Sequence, residues 1–180
     1  FLTLAALLMA GMMQAQVAVR ISNAPTQANP GDLITVRLDL GDAANQLTSF
    51  RGVGFDFRFD PTFIDPASFA VSYTGSDLGQ QFVTFVDDIT VLSDNNRRIL
   101  LSPVGNNLAN FRFGRLMDIS VRLRSNATPG AVFNLTVDAA SVIDANFVAK
   151  AVNGSQVAIN VAGLAVCNAP AGFSTTNVTT

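Results

Sequence analysis

Polar and apolar residues alternate along most of this chain with a period of two. The clearest case is residues 52–61, GVGFDFRFDP, where Val53, Phe55, Phe57 and Phe59 interleave with Gly54, Asp56, Arg58 and Asp60. Successive side chains of an extended backbone point to opposite faces, so this stretch predicts a strand with three phenylalanines on its buried side. Pro61 ends it, because proline has no N–H for the next ladder position and restricts the residue before it. The same alternation sets Ile34, Val36, Leu38 and Leu40 against Thr35, Arg37 and Asp39. It returns where Met117, Ile119, Val121 and Leu123 face away from Asp118, Ser120, Arg122 and Arg124.

Shorter apolar runs at residues 17–21, 82–86, 99–101, 132–137 and 157–161 read as further strands. Turn-forming clusters separate them: Asn29-Pro30-Gly31-Asp32, Ser93-Asp94-Asn95-Asn96, Thr128-Pro129-Gly130 and Asn153-Gly154. No segment carries a convincing helical period over this stretch. Eight or nine strands with frequent turns predict an all-β fold, an antiparallel two-sheet β-sandwich in which each sheet buries one face.

The two ends differ from this pattern. Residues 1–16, FLTLAALLMAGMMQAQ, are uncharged and mostly apolar. As an apolar helix they would span about 24 Å, short of the roughly 30 Å of a bilayer core. The run followed by Gln14-Ala15-Gln16 reads as the end of a secretory signal cut after Ala15. The alternative is a pilin-like segment retained in a filament, although no acidic residue sits near position five. The domain plan is therefore 1–15 signal peptide, 16–162 sandwich and 163–180 linker, with no stable membrane span once the signal is removed.

Composition narrows the chemistry. The net charge is −2; all 13 acids are aspartate, and Lys150 is the one lysine beside ten arginines. No basic patch marks a nucleic-acid partner. The chain has no histidine and one cysteine, Cys167, which removes the commonest general base, any internal disulfide and any multi-cysteine zinc site. Asp56 and Asp60 share a strand face but stand about 13 Å apart by strand rise. That exceeds the roughly 5–9.5 Å of glycosidase pairs. The oxygen-rich clusters Asp87-Asp88 and Asp94-Asn95-Asn96 fail as a calcium loop, because Arg98 takes the third ligand position. They read as turn residues. No enzyme and no cofactor is predicted.

The order of the pieces resembles the cohesin modules of bacterial cellulosomes and their relatives on cell surfaces. Val17-Ala-Val-Arg-Ile followed by Asn29-Pro-Gly-Asp-Leu-Ile-Thr-Val resembles the two opening strands of that family. GFDFRFDPTFID at 54–65, GRLMDISVRL at 114–123 before Ala127-Thr-Pro-Gly, and the closing residues 153–159 are similar to its later segments. The match covers about residues 17–161 and is weakest over 72–110. The resemblance implies a nine-stranded jelly roll whose sheet face grips the calcium-loaded dockerin of a protein partner, so any calcium would arrive with the dockerin. It assigns Asp56 and Arg58 to a partner-binding face, continued by Arg98 and residues 102–107. The competing reading makes Arg37, Asp39, Asp56 and Arg58 cross-strand ion pairs that only support the sheet.

The family's link to carbohydrate-binding modules implies a second partner class, polysaccharide. Most phenylalanines alternate inward, which leaves Phe50, Phe63, Phe69 and Tyr73, near loops, as candidate glycan contacts. A third reading is a structural subunit of a surface adhesin or filament. Residues 167–180, from Cys167 to Thr180, resemble the opening of a fibronectin type III repeat. The expected setting is a secreted or cell-surface bacterial protein.

Overall fold

The computed structural model describes residues 17–44, 46, 50–77, 85–103 and 113–163. The predicted N-terminal helix, the cleavage site after Ala15 and the tail from residue 164 lie outside them. Eleven strands are present among the described residues: β1 (Val19–Ser22), β2 (Gln27–Ala28), β3 (Leu33–Leu40), β4 (Phe50–Phe59), β5 (Ile64–Ser72), β6 (Phe85–Val91), β7 (Arg97–Pro103), β8 (Gly114–Leu123), β9 (Val132–Asp144), β10 (Ala149–Ala151) and β11 (Ser155–Val161). Eight of them answer to the strand segments read from the sequence, and β5 and the short β2 and β10 are additions. Among the described residues no helix is long and apolar enough to cross a membrane.

The strands form two sheets, one ordered β1-β3-β8-β5 and the other β2-β11-β9-β4-β7-β6, with β10 paired to β9 beside β11. All named pairings are antiparallel except that of β11 with β2. The Phe-rich strand β4 lies between β9 and β7, so it is covered on both edges as well as on its inner face. Val53, Phe55, Phe57 and Phe59 all point into the core, with Phe57 packed on Phe59 and Phe69 at ring distances of 6.3 and 6.2 Å. Ile34, Val36, Leu38 and Leu40 of β3 and Ile119, Val121 and Leu123 of β8 meet them from the other sheet. Each fully buried phenylalanine contributes about 1.5–3 kcal/mol relative to exposure.

The turns follow their residue chemistry. After β4, Asp60 accepts hydrogen bonds from the N–H and hydroxyl of Thr62 (2.8 and 2.7 Å), and its carbonyl accepts from the N–H groups of Phe63 and Ile64. Asp32 accepts from the N–H of Asn29 (2.8 Å) and closes the Asn29–Asp32 turn before β3. Between β6 and β7, Asn95 adopts a left-handed φ of 64°, and Leu92 and Asn96 bond across the turn.

Three expectations need correction. Asp87 and Asp88 lie within β6, an edge strand, and are not turn residues. Residues 64–72 form a strand that the alternation did not show, since its register slips between Asp65 and Ala70. Arg37 and Asp39 stand on β3, in the other sheet from Asp56 and Arg58, so the two pairs do not share a face.

Candidate functional site

Strands β6, β7, β4 and β9 lie side by side, and the outward members of their alternation make one face of the larger sheet. At its centre stands Asp56, opposite Arg98 on β7 and Asp138 on β9. Although it faces outward, Asp56 is only 1% exposed. Arg98 covers it with two bonds, Nε to Oδ1 at 2.8 Å and a terminal nitrogen to Oδ2 at 3.1 Å, and Arg58 adds a third at 3.0 Å. A buried carboxylate is costly unless fully paired, and this one is paired three times with charged donors. Arg58 also reaches Asp94 and Asp138, each at 3.1 Å. The five side chains form a lattice with Asp56 at its floor and Asp94 and Asp138 at its half-exposed rim.

Hydrogen bonds from the side chain and backbone of Asn96 hold the Asp94 carboxyl below its usual value, and Arg58 adds to this. The bond to Asp56 raises Arg98 above the ordinary guanidinium value. Asn96 has a further duty: its side-chain oxygen accepts from the N–H of Phe59 (2.7 Å) and fixes the end of β4 against the β6–β7 turn.

Farther along the same face the surface becomes apolar. Leu100, opposite Gly54, is 44% exposed, and Ile143, opposite Gly52, is 36% exposed. A Cβ added at Gly54 would lie 2.6 Å from Cδ2 of Leu100, so the leucine lies down across the bare backbone of β4. Glycine at 54 is what lets this shelf be flat. Beyond Ile143 the β9–β10 turn thrusts out Phe147, 69% exposed with a left-handed φ of 64°. The turn is braced by Asp144, whose carboxylate accepts from the N–H groups of Asn146 and Val148 (2.9 and 3.0 Å). The bond from Val148 and the Lys150 pair hold that carboxyl below its ordinary value. The Arg51 guanidinium lies 4.0 Å from the centre of the Phe147 ring and bonds the Ala145 carbonyl (2.9 Å). A bulky residue held at positive φ costs of order 1–3 kcal/mol, which marks such turns as candidates for function.

The structure thus brings Asp56, Arg58 and Arg98 together, with Ser102 on the same face; residues 104–107 fall outside the described ones. Leu100, Ile143 and Phe147 were missed from sequence. Their one legible signal was the pair Gly52 and Gly54 at outward positions of the strongest strand.

The four predicted glycan contacts do not form such a surface. Phe50 is a correction: at 2% exposure its ring is core and has no face to offer a sugar. Phe63 stacks on Phe133 (5.7 Å), and Phe69 is held between Phe57 and the Arg97 guanidinium. Both are half-buried against the core, as is Tyr73. The Tyr73 hydroxyl donates to Asp87 (2.8 Å), and burial, then that carboxylate, pushes its pKa well above the usual value. Among the described residues no group of three or more histidine, cysteine, aspartate or glutamate side chains is placed to hold a metal ion.

No protein-family model matches the chain, and no curated protein matches it. Solved structures do. The sixth cohesin of Acetivibrio cellulolyticus scaffoldin B, in complex with a mutant Cel5 dockerin, is 15% identical, covers 81% of this chain and 99% of its own, and superposes with a TM-score of 0.61. The third ScaC cohesin of the same organism, in complex with the ScaB dockerin, is 17% identical over 82% and 99% of the two chains, at 0.60. CaCohA2 from Clostridium acetobutylicum is 23% identical over 82% and 92%, at 0.56. The sandwich described above has the cohesin fold.

Proposed function

We propose that this chain is a non-catalytic protein-binding module that docks a dockerin-type partner on the outer face of β9-β4-β7-β6. The observation that carries the reading is the composition of that face. It combines an ion lattice with an apolar shelf and an exposed aromatic ring on four paired strands. Interface energy concentrates in aromatic and aliphatic anchors surrounded by polar groups that exclude water, and both are present here. The fold supports the reading, since the two Acetivibrio cohesins compared above were solved with dockerins bound. Calcium would enter with the partner. The reading places the module outside the cell, on or released from a bacterial surface, in keeping with the apolar leader expected at residues 1–15.

The test is calorimetric titration of the purified chain with calcium-loaded dockerins of the source organism. Binding is expected, and Leu100→Asp is expected to weaken it at least tenfold, about 1.4 kcal/mol or more. Phe147→Gly is the more telling variant. It relieves the left-handed turn, so the thermal midpoint holds or rises, while the affinity falls by the loss of the ring. Absence of binding to every dockerin, or binding indifferent to both substitutions, sinks the proposal.

A further inference from the structure

The opposite sheet carries a second feature that the docking face does not use. Where β1, β3 and the start of β8 meet, the surface sinks into a groove of about 690 Å³. This lies within the roughly 300–1,000 Å³ of small-ligand sites. One wall is made by two paired charges: Arg20 with Asp42 at 2.6 Å and Arg37 with Asp39 at 2.6 Å. Ser22 donates to the other oxygen of Asp39 (2.5 Å), so that carboxylate is held at both ends. The facing wall is Phe113, 42% exposed, and Gly114.

The facing wall is built, not incidental. Asp77 accepts the N–H of Arg115 (2.7 Å), and its own N–H donates to the Arg115 carbonyl (2.9 Å), which ties the turn after β5 to the start of β8. A Cβ on Gly114 would stand 2.3 Å from the Asp77 carboxylate, and the residue has a φ of 142°. Only glycine lets Asp77 seat there and hold the groove open beside Phe113.

We propose that this groove binds a neutral oligosaccharide. The charge balance decides the class. Two arginines meet three aspartates, Asp39, Asp42 and Asp77, and each arginine already has its carboxylate, so an anion finds no surplus positive charge. Among the described residues no three of these carboxylates converge to hold a metal ion. A sugar hydroxyl both donates and accepts. It can take a guanidinium N–H outside the ion pair and give its hydrogen to a carboxylate oxygen, so it suits a wall whose charges are already met by one another. Phe113 supplies the apolar surface on which the C–H face of a pyranose ring rests. This site shares no residue with the sequence-derived glycan contacts, and it lies on the sheet opposite the docking face, so it does not depend on the proposed partner.

The test uses the full chain, titrated with cellohexaose, xylohexaose and mannohexaose as neutral probes and with oligogalacturonate as an anionic one. Saturable binding of at least one neutral hexaose is expected. Phe113→Ala should weaken it about tenfold, and Phe113→Trp should restore it. Because Phe113 is exposed, neither change should move the thermal midpoint, which separates a lost contact from a lost fold. Asp42→Asn, a second wall of the same groove, should weaken binding as well. No neutral hexaose bound at millimolar concentration, a preference for oligogalacturonate, or affinity unchanged by both Phe113→Ala and Asp42→Asn overturns the proposal.

Discussion

Asp56 shows how one carboxylate can face outward and still be buried, because two arginine side chains close over it. Both arginines keep a third to a half of their surface in water. Asp56→Ala therefore frees cations that can rehydrate, and its cost should be about 1–3 kcal/mol, below that of a fully interior ion pair. In that background Arg98→Ala should cost little more, and a double-mutant cycle by urea unfolding measures the coupling directly. Acid tests the same class of residue. Asp94 and Asp144 have folded-state values below the ordinary 3.8. Depressed carboxyls stabilise the fold above their unfolded value and lose that contribution as the pH falls through the folded one. The urea midpoint should hold from pH 7 to about 5 and drop below about 4; a midpoint that rises on acidification would contradict the assignment. The outward direction of Asp56 and Arg58 was legible from alternation. Their partners Asp94, Asn96 and Asp138 were not, since nothing in a period of two says which residue lies across the next strand.

Elements became legible in proportion to how one-sided their burial is. Strands β3, β4 and β8 each bury one face against the other sheet, and their alternation was plain. β5 was missed because Pro66 and the slip between Asp65 and Ala70 break its period, and the strand is only half-covered. β6 was placed too early, over residues 82–86. As an edge strand it exposes Asp87, Asp88, Ile89, Thr90 and Val91 alike, so it lacks a face to alternate. β9 runs for 13 residues and, on the edge away from β4, serves two neighbours, β11 along its first half and β10 along its second. Ala139, at a φ of 46°, is the bulge that lets it turn between them. Two glycines, Gly54 on β4 and Gly154 just before β11, separate space from surface. At Gly154 a Cβ would lie 2.0 Å from the Val137 carbonyl oxygen, which is backbone and cannot move aside. Gly154→Ala should cost about 1–3 kcal/mol in the urea midpoint. Gly54→Ala meets only the flexible tip of Leu100, and should cost less than about 1 kcal/mol while tilting the shelf. Equal costs at the two positions would show that the shelf is not adjustable.

At the scale of the whole molecule, the class of fold was readable because two sheets with one buried face each are what so many short amphipathic strands can build. The docking face was only half readable, because it depends on strand order: β4 is flanked by β9 and β7, which are distant in sequence. The same strand order has a mechanical side. Between Val17 and Ala28 the chain runs parallel to residues 153–162. Bonds tie the two at both ends of this length: Val19 to Asn153, Asn153 to Val17 and Ile21 to the Ser155 hydroxyl at one, Asn160 to Thr26 and Ala162 to Ala28 at the other. The chain therefore enters the sandwich at one end of this seam and leaves at the other. Tension transmitted through residues 16 and 164 slides the two segments past each other and loads all these bonds at once. Pulling between residues 17 and 155, at a single end, would peel them one at a time. Single-molecule extension should find a higher unfolding force in the first geometry, because forced rupture is governed by the barrier to unfolding and not by equilibrium stability. A module strung along a longer chain would then hold its shape under a load that would unzip a hairpin.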